Sequence, residues 1–79
     1  MATYMWEDYK NNRYWIDTRK LIPPLGRTYN YHANVSWLRD KESKEINHDF
    51  GETYGQTEQE AYDRMKTKVE KWIDAEESS

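Results

Sequence analysis

Seventy-nine residues carry twelve Lys/Arg against fifteen Asp/Glu, a formal net charge of −3, with no cysteine, four Trp and seven Tyr. A chain of this length forms one domain near the lower limit for autonomous folding, and the lack of cysteine excludes a disulfide framework, thiolate chemistry and a zinc ribbon. No stretch approaches the ~18 apolar residues of a membrane span and no basic-then-apolar start reads as a signal peptide, so the expected setting is the reducing cytoplasm, with no membrane partner.

Leu, Ile, Val and Phe number only ten, a level that by itself points to disorder. The low net charge and the eleven Trp and Tyr side chains argue instead for a folded domain, since each buried ring removes roughly 150–250 Å² from water. Charge is uneven. Residues 1–48 hold eight Lys/Arg against six Asp/Glu, and residues 49–79 hold four against nine. That mildly basic first half lacks the strongly basic face of a dedicated nucleic-acid binder.

In chain order, residues 1–13 are an N-terminal arm or edge strand, with Tyr4 and Trp6 inward if Thr3 to Tyr9 is a strand, and Lys10-Asn11-Asn12-Arg13 reads as a turn. Tyr14 to Ile22 is a strand with Tyr14, Ile16 and Thr18 on one face and Trp15, Asp17, Arg19 and Leu21 on the other; Pro23-Pro24-Leu25-Gly26 ends it. From Thr28 to Arg39, Tyr29, Tyr31, Ala33, Val35 and Trp37 alternate with Asn30, His32, Asn34, Ser36 and Leu38, the period of a strand with one wet face. Asp40 to Lys44 is a polar turn and Glu45 to Tyr54 the return strand. Pairing Ile46 with Trp37, Phe50 with Ala33 and Tyr54 with Tyr29 brings every large apolar residue to the core face, with Gly51 a candidate bulge.

Thr57-Glu58-Gln59-Glu60 has the capping-box spacing, and Ala61, Met65, Val69, Trp72 and Ile73 then form one apolar stripe on a helix of about five turns. Residues 76–79 are expected to fray. The predicted fold is α+β: a meander of three or four antiparallel strands with one C-terminal helix packed on one face, as a single (β)βββα domain over residues 1–79.

Catalytic chemistry is not expected. Ser36 and His32 share a strand face but lie about 13 Å apart along it, beyond hydrogen-bond reach. His32 and His48 fall on opposite faces and cannot share a metal ion, and the isolated glycines Gly26, Gly51 and Gly55 form no phosphate loop. No cofactor is implied. The candidate site is the open sheet face: Asn30, His32, Asn34 and Ser36 as a polar row, flanked by Trp15, Arg13 and Arg19, with Leu38 and Arg27 nearby. Trp and Arg are the types most enriched at interface hot spots, although the same alternation also suits a merely solvated strand, and Trp15 suits a second core layer as well. Unpaired edge strands offer a further route, to homodimerisation.

The stretch Asp49-Phe50-Gly51-Glu52-Thr53-Tyr54-Gly55-Gln56-Thr57-Glu58-Gln59-Glu60-Ala61, with Trp72-Ile73 closing the helix, resembles the HicB-like antitoxin domain, in which a strand enters a Gly-x-Thr-x-x-Glu-Ala helix start. Gly55, Thr57, Glu60 and Ala61 match; the family's Pro-Gly-Cys stretch is absent. The junction also resembles, more weakly, the arm-binding domain of tyrosine recombinases, whose basic strands are largely missing here. The first resemblance implies a partial double-stranded-RNA-binding-type βββα fold in an antitoxin. With the lack of catalytic chemistry, it leads to the expectation of a small regulator or inhibitor of the kind carried by phages and mobile elements, acting by stoichiometric protein binding. A nucleic-acid module using the sheet face is the alternative.

Overall fold

The computed structural model describes residues 6–26 and 29–77, and the expectations for Thr3, Tyr4, Arg27, Thr28 and residues 78–79 lie outside them. Four strands, β1 (Glu7–Tyr9), β2 (Asn12–Leu25), β3 (Tyr29–Arg39) and β4 (Glu52–Gly55), form an antiparallel sheet in the order β1-β2-β3-β4, followed by helix α1 (Glu58–Glu77). The α+β meander with one C-terminal helix is thus the observed fold.

The β1–β2 hairpin turns on Lys10 and Asn11, both at positive φ (47° and 67°), between the paired residues Tyr9 and Asn12. Two consecutive left-handed residues give the primed turn whose twist matches the flanking strands. Within the described part of the arm, Glu7–Tyr9 is an edge strand. Trp6 is not inward, however, but 44 % exposed.

β2 extends past the expected stop at Ile22 to Leu25. Its ladder with β3 runs as far as Lys20–Tyr31, breaks off, and resumes at Leu25–Tyr29. The prolines, with no N–H to donate, occupy that interruption.

A bulge in β3 changes the face of its last residues. Trp15 pairs with Trp37 and Ile16 with Val35, leaving Ser36 without a partner on β2. One extra residue reverses alternation beyond it. Leu38, expected on the polar face, is instead buried at 1 % exposure, and Trp37 moves from the expected core face to the opposite one, where its ring meets that of Trp15 at 6.4 Å.

The return strand is shorter than expected and differently paired: His32 faces Tyr54 and Ala33 faces Thr53. Arg39 bridges Glu45 and Ile46 N–H donates to Leu38 O at 2.8 Å, after which the chain leaves the ladder. Residues 46–51 span what residues 35–38 span on β3, so the segment bows toward the helix. It closes through an Asx turn, Gly51 N–H donating to Asp49 Oδ1 at 2.8 Å, with Gly51 at φ 69°. Phe50 is thereby buried and Ile46 partly so, as expected, but from a loop and not by strand alternation.

Thr57 Oγ1 accepts the Glu60 N–H at 3.1 Å, the expected N-cap. Of the expected stripe, Ala61, Met65, Val69 and Ile73 are buried against Tyr14, Ile16, Ala33, Leu38 and Phe50; Tyr62, expected only at its border, is buried with them, and Trp72 is only partly buried. The helix continues through Glu77, into the residues expected to fray. His48, predicted opposite Val35, stacks on Trp72 at 4.7 Å and meets Phe50 edge-on at 4.6 Å. Gly55 is dictated by close approach, because a Cβ there would lie 2.5 Å from the Ala61 nitrogen.

Three tyrosine hydroxyls then tie helix to strands. Tyr14 donates to Glu70 at 2.8 Å, Tyr62 to Glu7 at 2.8 Å, and Tyr9 to both oxygens of Asp74 at 3.1 Å. Burial, reinforced by the bond to Glu70, pushes the Tyr14 phenol pKa up. Each bond holds a polar atom whose desolvation would otherwise oppose packing.

Three measurements check this account. Gly55→Ala should destabilise the domain by about 1–3 kcal/mol in urea unfolding, the cost of an overpacked contact. Tyr14→Phe should cost about 1 kcal/mol and Tyr14→Ala about 3–5 kcal/mol; near-equal losses would show that the ring contributes little. Lys10, whose Nζ lies 2.6 Å from Asp74, together with the Tyr9 hydroxyl holds the Asp74 carboxyl below its ordinary pKa. A lowered folded-state pKa stabilises above the ordinary carboxylate value, and that stabilisation is lost as pH falls through the folded value. Asp74→Asn should therefore flatten the fall of the melting temperature below about pH 4, in melts recorded across that range.

Candidate functional site

The helix packs on β2, β3 and β4 from one side, and among the described residues no other element packs on the opposite side. The register arranges that open face in cross-strand rows. At the turn end, Asp8, Arg13, Arg39 and Glu45 stand side by side, followed by Trp15 and Trp37; then come Asp17, Asn34 and Glu52, and finally Arg19, His32 and Tyr54.

The aromatic rings are held by cations and carboxylates. Arg13 lies over the Trp6 ring at 5.2 Å and Arg39 over Trp37 at 5.1 Å. Trp15 Nε1 donates to Asp17 Oδ1 at 2.9 Å, which fixes the indole rotation. Arg13 Nε donates to Asp8 Oδ1 at 2.9 Å. At the far row the Tyr54 hydroxyl donates to Glu52 Oε2 at 2.8 Å, a bond that raises the Tyr54 pKa. His32 Nδ1 lies 3.7 Å from Glu52 Oε1, buried from solvent and without a hydrogen-bond partner. Guanidiniums over indoles and an indole N–H bonded to a carboxylate give a pre-oriented apolar patch with a charged border.

Of the predicted site residues, Arg13, Trp15, Arg19, His32 and Asn34 share this face. Trp15 is partly exposed on it and outside the buried core. Ser36 occupies the bulge and is exposed. Asn30 lies at the strand end, its side chain donating to the Gln56 carbonyl at 3.3 Å, so the expected row of four polar side chains is interrupted at both ends. Leu38, predicted to flank the site, is in the core. Sequence reasoning does not place Trp6 or Trp37 on this face. The adjacent apolar pair Trp37-Leu38 was the available signal, since strict alternation cannot bury both.

His32 and His48 do lie on opposite sides of the sheet, and among the described residues no His, Asp and Glu cluster is arranged to hold a metal ion. No family model, curated protein or solved structure matches the chain.

If the open face is presented to solvent and not needed for folding, Trp37→Ala should leave the melting temperature within a few degrees of the parent. Leu38→Ala, one residue away, should cost about 2–5 kcal/mol; equal losses would place Trp37 in the core.

Proposed function

We propose that this chain is a non-enzymatic regulator or inhibitor that works by stoichiometric binding of a protein partner to its open sheet face. The observation that carries the reading is the Trp15–Trp37 pair, set between Arg13 and Arg39 on one side and Asp17, Asn34 and Glu52 on the other. Indole and guanidinium groups held in place bind at low entropic cost, and a polar border around an apolar centre is the usual anatomy of a protein interface.

Charge separates this reading from the nucleic-acid alternative. The rows of the face carry Arg13, Arg19 and Arg39 against Asp8, Asp17, Glu45 and Glu52, so the carboxylates outnumber the guanidiniums by one. Affinity for nucleic acid comes largely from neutralising successive phosphates, and carboxylates interleaved with the cations oppose it. Stacking rings on a sheet face favour the alternative, because any base can stack on them. The likeness of the strand–helix junction to HicB-like antitoxin domains supports a regulatory role of the antitoxin type.

Affinity capture from host lysate, with and without nuclease, tests the choice. We expect one protein at one-to-one stoichiometry that persists after nuclease treatment. Trp37→Ala should weaken its binding by at least ~30-fold, the size of a hot-spot loss. Loss of every partner on nuclease treatment, with affinity for oligonucleotides falling steeply with salt, would replace this reading by the nucleic-acid one.

A further inference from the structure

The turn-end row of the open face sets two guanidiniums side by side between two carboxylates, and only the Asp8 carboxylate is bonded to one of them. Arg13 and Arg39 are direct cross-strand partners, and like charges at that separation repel. Asp8 faces Arg13 from β1 and is bonded to its Nε, whereas Glu45, which bridges Arg39 on the other flank, makes no ion pair with it. Arg39 rests on the Trp37 ring and, among the described residues, has no ion pair.

A cleft of about 500 Å³ opens at this end between the β1–β2 turn and the loop after β3, and Lys10 and Lys41 join Arg13 and Arg39 in lining it. Its acids are already engaged. Asp8 holds Arg13, and Asp40 Oδ1 accepts the backbone N–H groups of Glu42 and Lys44 at 2.8 and 3.0 Å. Lys10 is taken by Asp74. Among the described residues, Arg39 and Lys41 line the cleft without an ion pair, and Arg39 is the residue that joins the cleft to the tryptophan pair.

Resting on the reading of the open face as a protein interface, we propose that its occupant is an acidic protein segment. An Asp or Glu carboxylate of that segment sits on Arg39 beside Arg13, and a neighbouring apolar side chain lies on the Trp15–Trp37 pair. A guanidinium fixed on a ring presents its N–H fork for two-point recognition of a carboxylate. A protein segment places negative charge at this row alone. A nucleic-acid strand repeats its charge at every nucleotide and would carry phosphates past Asp17 and Glu52, one row beyond the rings.

The test is a titration of isotopically labelled protein, followed through the Trp15 and Trp37 indole N–H and Arg39 Nε signals. The probes are short Glu-Leu, Gln-Leu and Lys-Leu repeat peptides and an oligothymidylate. Glu-Leu should shift all three signals and bind roughly tenfold tighter than Gln-Leu, the gain of one charge-assisted contact. Arg39→Glu, at a surface position, should abolish that preference while Gln-Leu still moves the indoles. Equal binding of Glu-Leu and Gln-Leu would refute the acidic partner and leave the face as an interface. Indoles silent to every peptide would overturn both readings. Oligothymidylate moving the same signals as tightly as Glu-Leu would make nucleic acid the occupant. Indole shifts that change on dilution alone would make it a second copy of this chain.

Discussion

One extra residue in β3 sets the character of both faces of the sheet. Before Ser36 the strand points Ala33 and Val35 at the helix; after it, Leu38 takes over that direction and Trp37 is turned away. Without the bulge, Trp37 would compete with the helix for space above the sheet and Leu38 would stand in water. With it, Trp37 meets Trp15, and Arg39 shares a row with Arg13. The aromatic pair and the guanidinium lying over it thus follow from a single change of register. Bulges are common where a sheet must re-aim a side chain, which is the use made of this one.

The opposite face is held by different means. Its buried set is small, and three of its helix–strand contacts are tyrosine hydroxyls donated to carboxylates. Two of those carboxylates, Glu70 and Asp74, belong to the acidic C-terminal half of the chain, and the third, Glu7, lies on the edge strand. The acidity of the helix therefore has an internal use: its inner border accepts from Tyr9 and Tyr14, and Asp74 also takes Lys10 from the hairpin turn. These bonds anchor β1, a strand of three residues, which brings Asp8 to Arg13 on the other side. The two faces are coupled through that short edge.

The elements with strong local signals were legible in the sequence. The helix announced itself through the Thr57 cap and a stripe at regular spacing, and the alternation of β3 held up to the bulge. What was not legible depends on counting residues across a gap. The return segment contains enough apolar residues to satisfy the pattern in more than one register, and the observed pairing differs because Ile46 and Phe50 are buried from a bowed loop closed by Asp49 and Gly51. The same difficulty hid the site. Trp15 and Arg19 can be placed on the open face from β2 alone, whereas Trp37 lies beyond the bulge, on the side opposite to the one its alternation predicts. Ser36 itself carries no mark that distinguishes it from the other polar residues of the strand.

The placement of the tryptophans bears most directly on function. In a domain this small, a buried indole is among the largest contributions any single residue can make to the core. Yet among the described residues the buried hydrophobic set contains no tryptophan. Trp72 packs at its margin, and Trp6, Trp15 and Trp37 lie on the side away from the helix. The core is filled instead by Tyr14, Tyr62, Phe50 and aliphatic side chains. An arrangement selected for stability alone would invert this, since an indole in water contributes little and invites association. Cations over the rings and the Trp15–Asp17 hydrogen bond keep the patch ordered and reduce its tendency to collapse onto arbitrary apolar surfaces. A patch that is apolar, ordered and bordered by charge discriminates among partners, and that is the physical ground for reading it as an interface and not as a solvated strand face.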